Sequence, residues 1–303
     1  MKRVIISGAS GFIGQALTAA LLEQGAEVWG TCAHPEKLGP IREHPSFHLV
    51  QADFQEYEAL AEKLPAGPYD VFFHLAWQGY GKATNDYRVQ VPNIKYSCDA
   101  ASAAAVLKCH RFVLADSSHE HLVSPDREGK LGLCSIYGAA KASAQRFCRV
   151  LLHNTETKFV GVLFTNVFGP GDRSSRSTNT ILRKLMKGED LDLIPGDRLY
   201  DWTCIDDCVG GVIAAAQSGR AGMVYYVGSR YLKPFSEIIT EVRDAVAPEA
   251  ELHFGKYQDS TFIDYRQIDT YALYSDTGYL PEANFTDTIK KTAAWLQTID
   301  NGN

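Results

Sequence analysis

Short apolar runs alternate with amphipathic stretches through the first half of the chain. Val4-Ile5-Ile6, ending at Ser7, reads as a first strand, followed by Glu27–Cys32, Phe47–Asp53, Val71–Ala76, Arg111–Asp116 and Phe159–Phe164. Helical patterns separate them. Ile13, Leu17, Ala20 and Leu21 recur at helical spacing, Tyr57–Leu64 has a helical pattern, Asn93–Leu107 is rich in alanine, and Tyr137–Leu152 is a long helix. Strands that are apolar throughout and alternate with helices predict the α/β class, a doubly wound parallel sheet covered on both faces.

From Pro170 the rhythm changes. Gly169-Pro170-Gly171 signals a turn, 172–180 is polar, and Ile181–Lys187 and Leu191–Ile194 read as a short helix and a short strand. Tyr200–Ile205 leads to Asp206-Asp207, expected to cap a helix running through Gln217, and Met223–Val227 is one more strand. Helices follow at Phe235–Val246 and Thr286–Leu296, without a glycine turn of their own. The expected division places 1–171 and 200–228 in the sheet domain, and 172–199 and 229–303 in a smaller C-terminal α/β cap that binds substrate.

Gly8-Ala9-Ser10-Gly11-Phe12-Ile13-Gly14 links the first strand to the first helix. A strand that turns through closely spaced glycines into a helix presents free backbone N–H groups at the positive end of the helix dipole. That is a seat for a diphosphate, and its position directly behind the first strand points to a dinucleotide.

Composition narrows the partner. The 303 residues are 45% hydrophobic and 22% charged, as in ordinary globular proteins, with a formal charge of −6 and no basic run. Nucleic acid and anionic membranes are therefore poor partners, and a small molecule is expected. Met1-Lys2-Arg3 before an apolar stretch has two marks of a secretion signal, but the glycine turn interrupts that stretch. Seven cysteines, an odd number scattered through apolar segments, fit reduced thiols, and a cytoplasmic location is expected.

Tyr137 and Lys141 stand four apart at the start of a helix, so they share a face. A lysine cation beside a phenol is expected to lower its pKa and make it a proton carrier for hydride transfer. A third partner belongs at the carboxyl end of a central strand, where Asp116-Ser117-Ser118-His119-Glu120 stands. A serine hydroxyl there can donate to and accept from a reacting oxygen. His119-Glu120-His121 suggests a metal, and Cys204 with Cys208 a thiol pair, yet neither has the further ligands a site needs. No metal is expected.

The glycine turn, the strand-end serine and the Tyr137/Lys141 pair together resemble the short-chain dehydrogenase/reductase superfamily, whose fold is a Rossmann sheet. The length and later segments are similar to its extended branch of nucleotide-sugar epimerases, dehydratases and reductases. The resemblance implies Ser117, Tyr137 and Lys141 as catalytic residues, with Ser118 as the fallback for Ser117. It implies a cofactor site of Gly8, Ser10, Gly11, Phe12, Ile13, Gly14, His34, Lys37, Asp53, Phe54, Leu75, Ala76, Asn93, Tyr137 and Lys141, with Asp53 toward the adenine. Asn166, in Thr165-Asn166-Val167-Phe168-Gly169-Pro170-Gly171, matches an asparagine that approaches the substrate diphosphate, and Ser118 and His119 join it as substrate contacts. Tyr200–Asp207 resembles the segment that returns the chain from the substrate domain.

Three departures shape the expected reaction. Ser118-His119 replaces the Asp-Glu pair of the family's 4,6-dehydratases, which disfavours dehydration. Thr31-Cys32-Ala33-His34 carries no acid for the NAD ribose while His34, Lys37 and Arg42 stand near, so NADP is favoured and NAD remains possible. Tyr200 and Leu163 occupy places where relatives carry arginines for the nucleotide diphosphate, and Arg173, Arg176, Arg183 and Arg198 are the nearby cations. The leading expectation is an NAD(P)-dependent oxidoreductase acting on a nucleotide-linked hexose, specifically a 4-keto-6-deoxy-sugar reductase. The alternatives are an epimerase that retains its cofactor, a non-sugar carbonyl reductase, and a non-catalytic dinucleotide sensor. The resemblance also implies a homodimer through the Asn93 and Tyr137 helices, and the Ala-rich Ala100–Ala105 face is compatible with close packing there.

Overall fold

The computed structural model describes residues 1–257 and 259–301. Its central sheet has seven strands, β1 (Arg3–Ser7), β2 (Glu27–Cys32), β3 (Phe47–Gln51), β4 (Tyr69–His74), β5 (Cys109–Ser117), β6 (Lys158–Phe164) and β7 (Val224–Val227). The spatial order is β7-β6-β5-β4-β1-β2-β3, with every pairing parallel. The chain starts in the middle, winds out to β3, and returns to the other side of β1. That reversal leaves a crevice above the carboxyl ends of β1 and β4, where open parallel sheets bind their ligands.

The principal helices are α1 (Phe12–Glu23), α2 (Pro92–Val106), α3 (Ile136–Leu152), α4 (Ser177–Met186), α5 (Ile205–Ser218), α6 (Phe235–Val246) and α7 (Phe285–Asn301). Because successive strand residues face opposite sides, Val4, Ile6 and Val113 pack against Leu17 and Leu21 of α1 and Val212 of α5. Ile5, Phe72, Phe112 and Leu114 face the other way, onto α2 and α3. There Ala100, Ala101, Ala103 and Ala104 are buried within this chain, where small side chains let α2 lie close to the sheet. The alanine face is thus already covered, which corrects its expected role between subunits. The outer surfaces of α2 and α3 instead expose Val106, Phe147, Val150 and Leu151.

A separate core assembles the cap. Leu182 and Leu185 of α4, Ile238, Ile239 and Val242 of α6, and Ile289 and Leu296 of α7 enclose it, together with Leu191 and Leu193. Phe168, Trp202 and Cys204, from outside the expected cap boundaries, belong to the same core. Two local expectations change. Residues 54–59 form a 3₁₀ turn and only Leu60–Lys63 is α-helical, because Asp53 and Glu56 close a capping box that tightens the first turn. Asp206 and Asp207 lie inside the first turn of α5, whose N-cap is Cys204. Asp207 instead accepts hydrogen bonds from the backbone N–H groups of Glu282 and Ala283 at 2.8 and 2.9 Å, fastening the chain ahead of α7. Among the described residues no helix is long and apolar enough to cross a membrane.

Candidate active site

The groove begins at the glycine turn. Gly8 has φ 75°, a conformation open to glycine, and a Cβ there would stand 2.9 Å from the Ala76 nitrogen on β4's exit. A Cβ on Gly14 would stand 2.1 Å from the Gly8 carbonyl oxygen. The turn is therefore pressed against both its own helix and the neighbouring strand end. Ser10, Gly11, Cys32, Ala33, His34, Asp53, Phe54, Leu75 and Ala76 continue from it into one end of the groove. This cradle has the shape and the free N–H groups that a dinucleotide requires.

A buried imidazole ties the floor together. Ser97 donates to the carbonyl of Asn93, so its oxygen accepts from Nε2 of His74 at 3.2 Å, and Nδ1 then accepts from Ser7 at 2.7 Å. Burial, with the Lys141 charge adding to it, pushes the His74 pKa down to about 3. Unfolding lets this ring take up a proton below about pH 6.5, so its contribution to stability is complete above that pH and is lost as pH falls toward 3. The native state binds fewer protons in that window, giving a slope of at most about 1.4 kcal/mol per pH unit. His74→Asn is expected to be less stable at pH 7.5 and to lose stability less steeply between pH 6.5 and 4, as read by urea unfolding; parallel slopes would refute the assignment.

Two expected cofactor residues are placed elsewhere. Asn93 spends its amide on the backbone, accepting from Gln78 N–H at 2.8 Å and donating to Gln78 and Val89 carbonyls at 3.1 and 3.0 Å. It fixes the loop after β4 to α2 and does not line the groove. Lys37 lies exposed on the 3₁₀ segment after β2, also outside the lining. Its neighbour Glu36 instead meets His34 at 3.2 Å, bringing a carboxylate to the end of β2.

At the other end of the groove Ser117, Tyr137 and Lys141 converge with Gly11, Phe12, Leu75 and Trp77. Ser135 caps α3 by accepting from Gly138 N–H at 3.0 Å, which sets the phase of Tyr137 and Lys141 on the helix. Ser117 ends β5 and caps the following 3₁₀ turn, its hydroxyl accepting from His119 N–H at 3.3 Å. The electrostatics correct one expectation. Lys141 donates to the Ala115 carbonyl at 2.6 Å and lies 3.8 Å from the Trp77 ring centre, a cation–π contact. Burial dominates Tyr137 and raises its pKa, and the hydrogen bond from Ser117, rather than the lysine, opposes that rise. Burial lowers Lys141 to about 8 against the pull of Asp116 and Glu120.

Beyond this point a second recess shares Ser117, Tyr80 and Thr165 with the groove and is lined by Ser118, His119, Asn166, Arg198 and Tyr200. His119 packs edge-on to Tyr137 at 5.5 Å, and its buried Nδ1 has no hydrogen-bond partner among the described residues. Arg198 is held by the Asp259 and Thr261 carbonyls at 3.1 and 2.9 Å. Arg176 pairs with Asp172 at 2.7 Å beside the groove, whereas Arg183 pairs with Asp300 away from it. Trp77, Tyr80 and Asp116 line the groove and were not assigned by sequence reasoning. The loop after β4 that holds the first two is signalled only by the turn residues Gly79 and Gly81.

The dinucleotide cradle and the Ser117/Tyr137/Lys141 cluster thus open into one groove, and a family model agrees. The NAD dependent epimerase/dehydratase family model matches residues 4–228. The chain belongs to this family. Within the epimerase/dehydratase family it is similar to UDP-glucuronate 4-epimerase 3 of Arabidopsis thaliana, 21% identical over 99% of this chain and 77% of that protein. Its fold is similar to the UDP-glucuronic acid 4-epimerase of Bacillus cereus, solved with UDP-glucuronic acid and NAD, at a TM-score of 0.78 with 21% identity, covering 98% and 99% of the two chains. A dTDP-glucose 4,6-dehydratase of Streptomyces venezuelae, DesIV, gives a TM-score of 0.80 with 21% identity over 99% and 98%. The epimerase/dehydratase assignment makes this chain an enzyme of the extended short-chain dehydrogenase/reductase type.

Proposed function

We propose that this family member is a nucleotide-sugar 4-epimerase that retains NAD through its cycle. The observation that carries the reading is the meeting of Ser117, Tyr137 and Lys141 where the glycine-lined groove opens into the recess of Ser118, His119 and Asn166. The likeness to 4-epimerases favours this over the 4-keto-6-deoxy-sugar reductase that the sequence led us to expect, and the absence of an Asp-Glu pair after Ser117 speaks against dehydration. NAD replaces NADP in the proposal because the similar structures carry NAD, and because Glu36, 3.2 Å from His34, sets an acid near the end of β2.

Bound NAD supplies hydride acceptance and return at one sugar carbon. Gly8, Gly11 and Gly14 hold its diphosphate, and Asp53 and Phe54 border its adenine. Ser117 orients the reacting oxygen, Tyr137 takes a proton from the hydroxyl and gives one back to the carbonyl, and Lys141 holds the nicotinamide ribose. Asn166 and Arg198 face the substrate diphosphate. Incubating the protein with UDP- and dTDP-hexoses and catalytic NAD should interconvert C4 epimers without net change in NADH absorbance. Stoichiometric consumption of NADPH with a keto-sugar nucleotide would replace this reading with the reductase, and inertness toward both would overturn both.

The protein pairs with a second copy through the outer faces of α2 and α3. Phe147 is 57% and Val150 74% exposed, costly for large apolar groups on adjoining turns of one helix. Equilibrium sedimentation should give a dimer for the wild type and a monomer for Phe147→Asp/Val150→Asp; a wild-type monomer refutes it.

A further inference from the structure

Behind Lys141, beneath α3 and at the edge of the groove, lies a carboxyl pair that the proposed chemistry does not use. Asp116 precedes Ser117 on β5, and since strand residues alternate, its side chain points into the apolar layer beneath α3. It is 2% exposed, and neither carboxyl oxygen has a hydrogen-bond donor at bonding geometry among the described residues. The carboxyl of Glu120 faces it, while Glu120 also accepts weakly from the Ser117 N–H at 3.5 Å. The amide of Gln145 approaches Asp116 from α3. A buried Asp116 facing a partly buried Glu120 cannot stay ionised beside a second carboxylate, because desolvation and mutual repulsion both oppose it. A single proton between them turns the clash into a hydrogen bond. Lys141 is the cation that acts on both carboxyls, and its ammonium is anchored to the carbonyl of Ala115, the residue before Asp116.

We propose that Asp116 and Glu120 share one proton, and that the single negative charge of the pair keeps Lys141 in its ammonium form beneath Tyr137. Both are positioning residues, acting through Lys141. Their effect on turnover rests on the function proposed above; their effect on the lysine does not. The other groups facing Lys141 are His74 of β4, held neutral, and Tyr137 and Cys148 of α3, while Arg146 of α3 faces Glu120. The hydrogen bond with Cys98, followed by burial, raises the Cys148 thiol, and burial raises the Tyr137 phenol, so neither offers a competing anion at neutral pH.

The arrangement has a distinctive signature, because removing one carboxyl leaves the other to ionise in its place. The pKa of Lys141 can be read from the ¹³Cε shift of labelled lysine in the whole protein, assigned with Lys141→Met. Asp116→Asn and Glu120→Gln should each leave its midpoint within about half a unit of wild type, while the double variant should lower it by at least about one unit, a tenfold change in acidity. An unchanged midpoint in the double variant overturns the proposal, and so does a full drop in either single variant. Infrared difference spectra keep it testable if the double variant does not fold. The carbonyl stretch of a protonated carboxyl should be present in the wild type at neutral pH and missing from both single variants; its absence from the wild type overturns the shared proton. Where the lysine shift follows this pattern but no nucleotide sugar is turned over, the function is wrong and the pair stands.

Discussion

Tyr137→Phe is expected to lower kcat for sugar epimerisation by about 10²- to 10⁴-fold, the range that a positioned proton carrier contributes, with dinucleotide affinity changed little. The reason lies in what the substitution leaves intact. The Tyr137 ring packs edge-on against Trp77 at 5.8 Å, Tyr80 at 5.3 Å and His119 at 5.5 Å, and phenylalanine keeps all three contacts. Only the hydroxyl disappears, and with it the partner of Ser117. The buried phenol is held above its ordinary pKa by desolvation, so it is protonated at neutral pH and competent as an acid before ligands arrive. Taking a proton instead requires the phenolate to be favoured, which Ser117 does directly and the Lys141 charge can do only if that lysine remains an ammonium. Steady-state turnover, calorimetric titration with NAD and a thermal melt together check this. A fall in kcat below tenfold would remove Tyr137 from the proton path, and an equal loss of NAD binding would show that the ring holds the cofactor instead.

The sheet was legible because its signals are local. Val4–Ser7, the glycine turn and the Ile13/Leu17/Leu21 spacing each depend on neighbours in sequence, as does the four-residue step from Tyr137 to Lys141. The stretch Asp116–Glu120 could be placed because a strand's carboxyl end is a defined position in a parallel sheet, while the choice of Ser117 over Ser118 within it came from the family resemblance. What sequence did not show is where competing partners lie in space. Asn93 is on the expected helix, but its amide is consumed by Gln78 and Val89 across the loop after β4. Lys141 is one turn from Tyr137, yet its ammonium is drawn to the Ala115 carbonyl of β5 and the Trp77 ring from the loop after β4. The alanines of α2 follow the same logic: small side chains signal close packing, but only the fold says whether the sheet or another subunit receives them. Asp116 is the clearest case, a charged residue whose burial depends on α3 closing over β5.

Gly14→Ala should abolish measurable dinucleotide binding, raising Kd at least about a hundredfold, equivalent to about 2.7 kcal/mol. In most helices this exchange would stabilise the protein by up to about 1 kcal/mol. Here the new methyl would lie 2.1 Å from the Gly8 carbonyl oxygen, 3.0 Å from its carbon and 3.1 Å from the Ala9 Cα, all of them backbone. No rotamer change relieves such contacts, so either α1 withdraws from the turn or the turn itself moves. Gly8 cannot follow freely, because it lies against Ala76 at the exit of β4 and its N–H donates to the Thr31 carbonyl of β2 at 2.9 Å. The clash therefore falls on the free N–H groups between Gly8 and Gly14, which lose the geometry that seats a diphosphate. Overpacking of this kind also costs about 1–3 kcal/mol of stability, visible as a lowered urea midpoint. Gly132→Ala, where an added methyl meets nothing within 4 Å and φ is unexceptional, is the matched control and should change neither quantity. Dinucleotide binding by Gly14→Ala within threefold of wild type would mean that the diphosphate is held elsewhere in the groove.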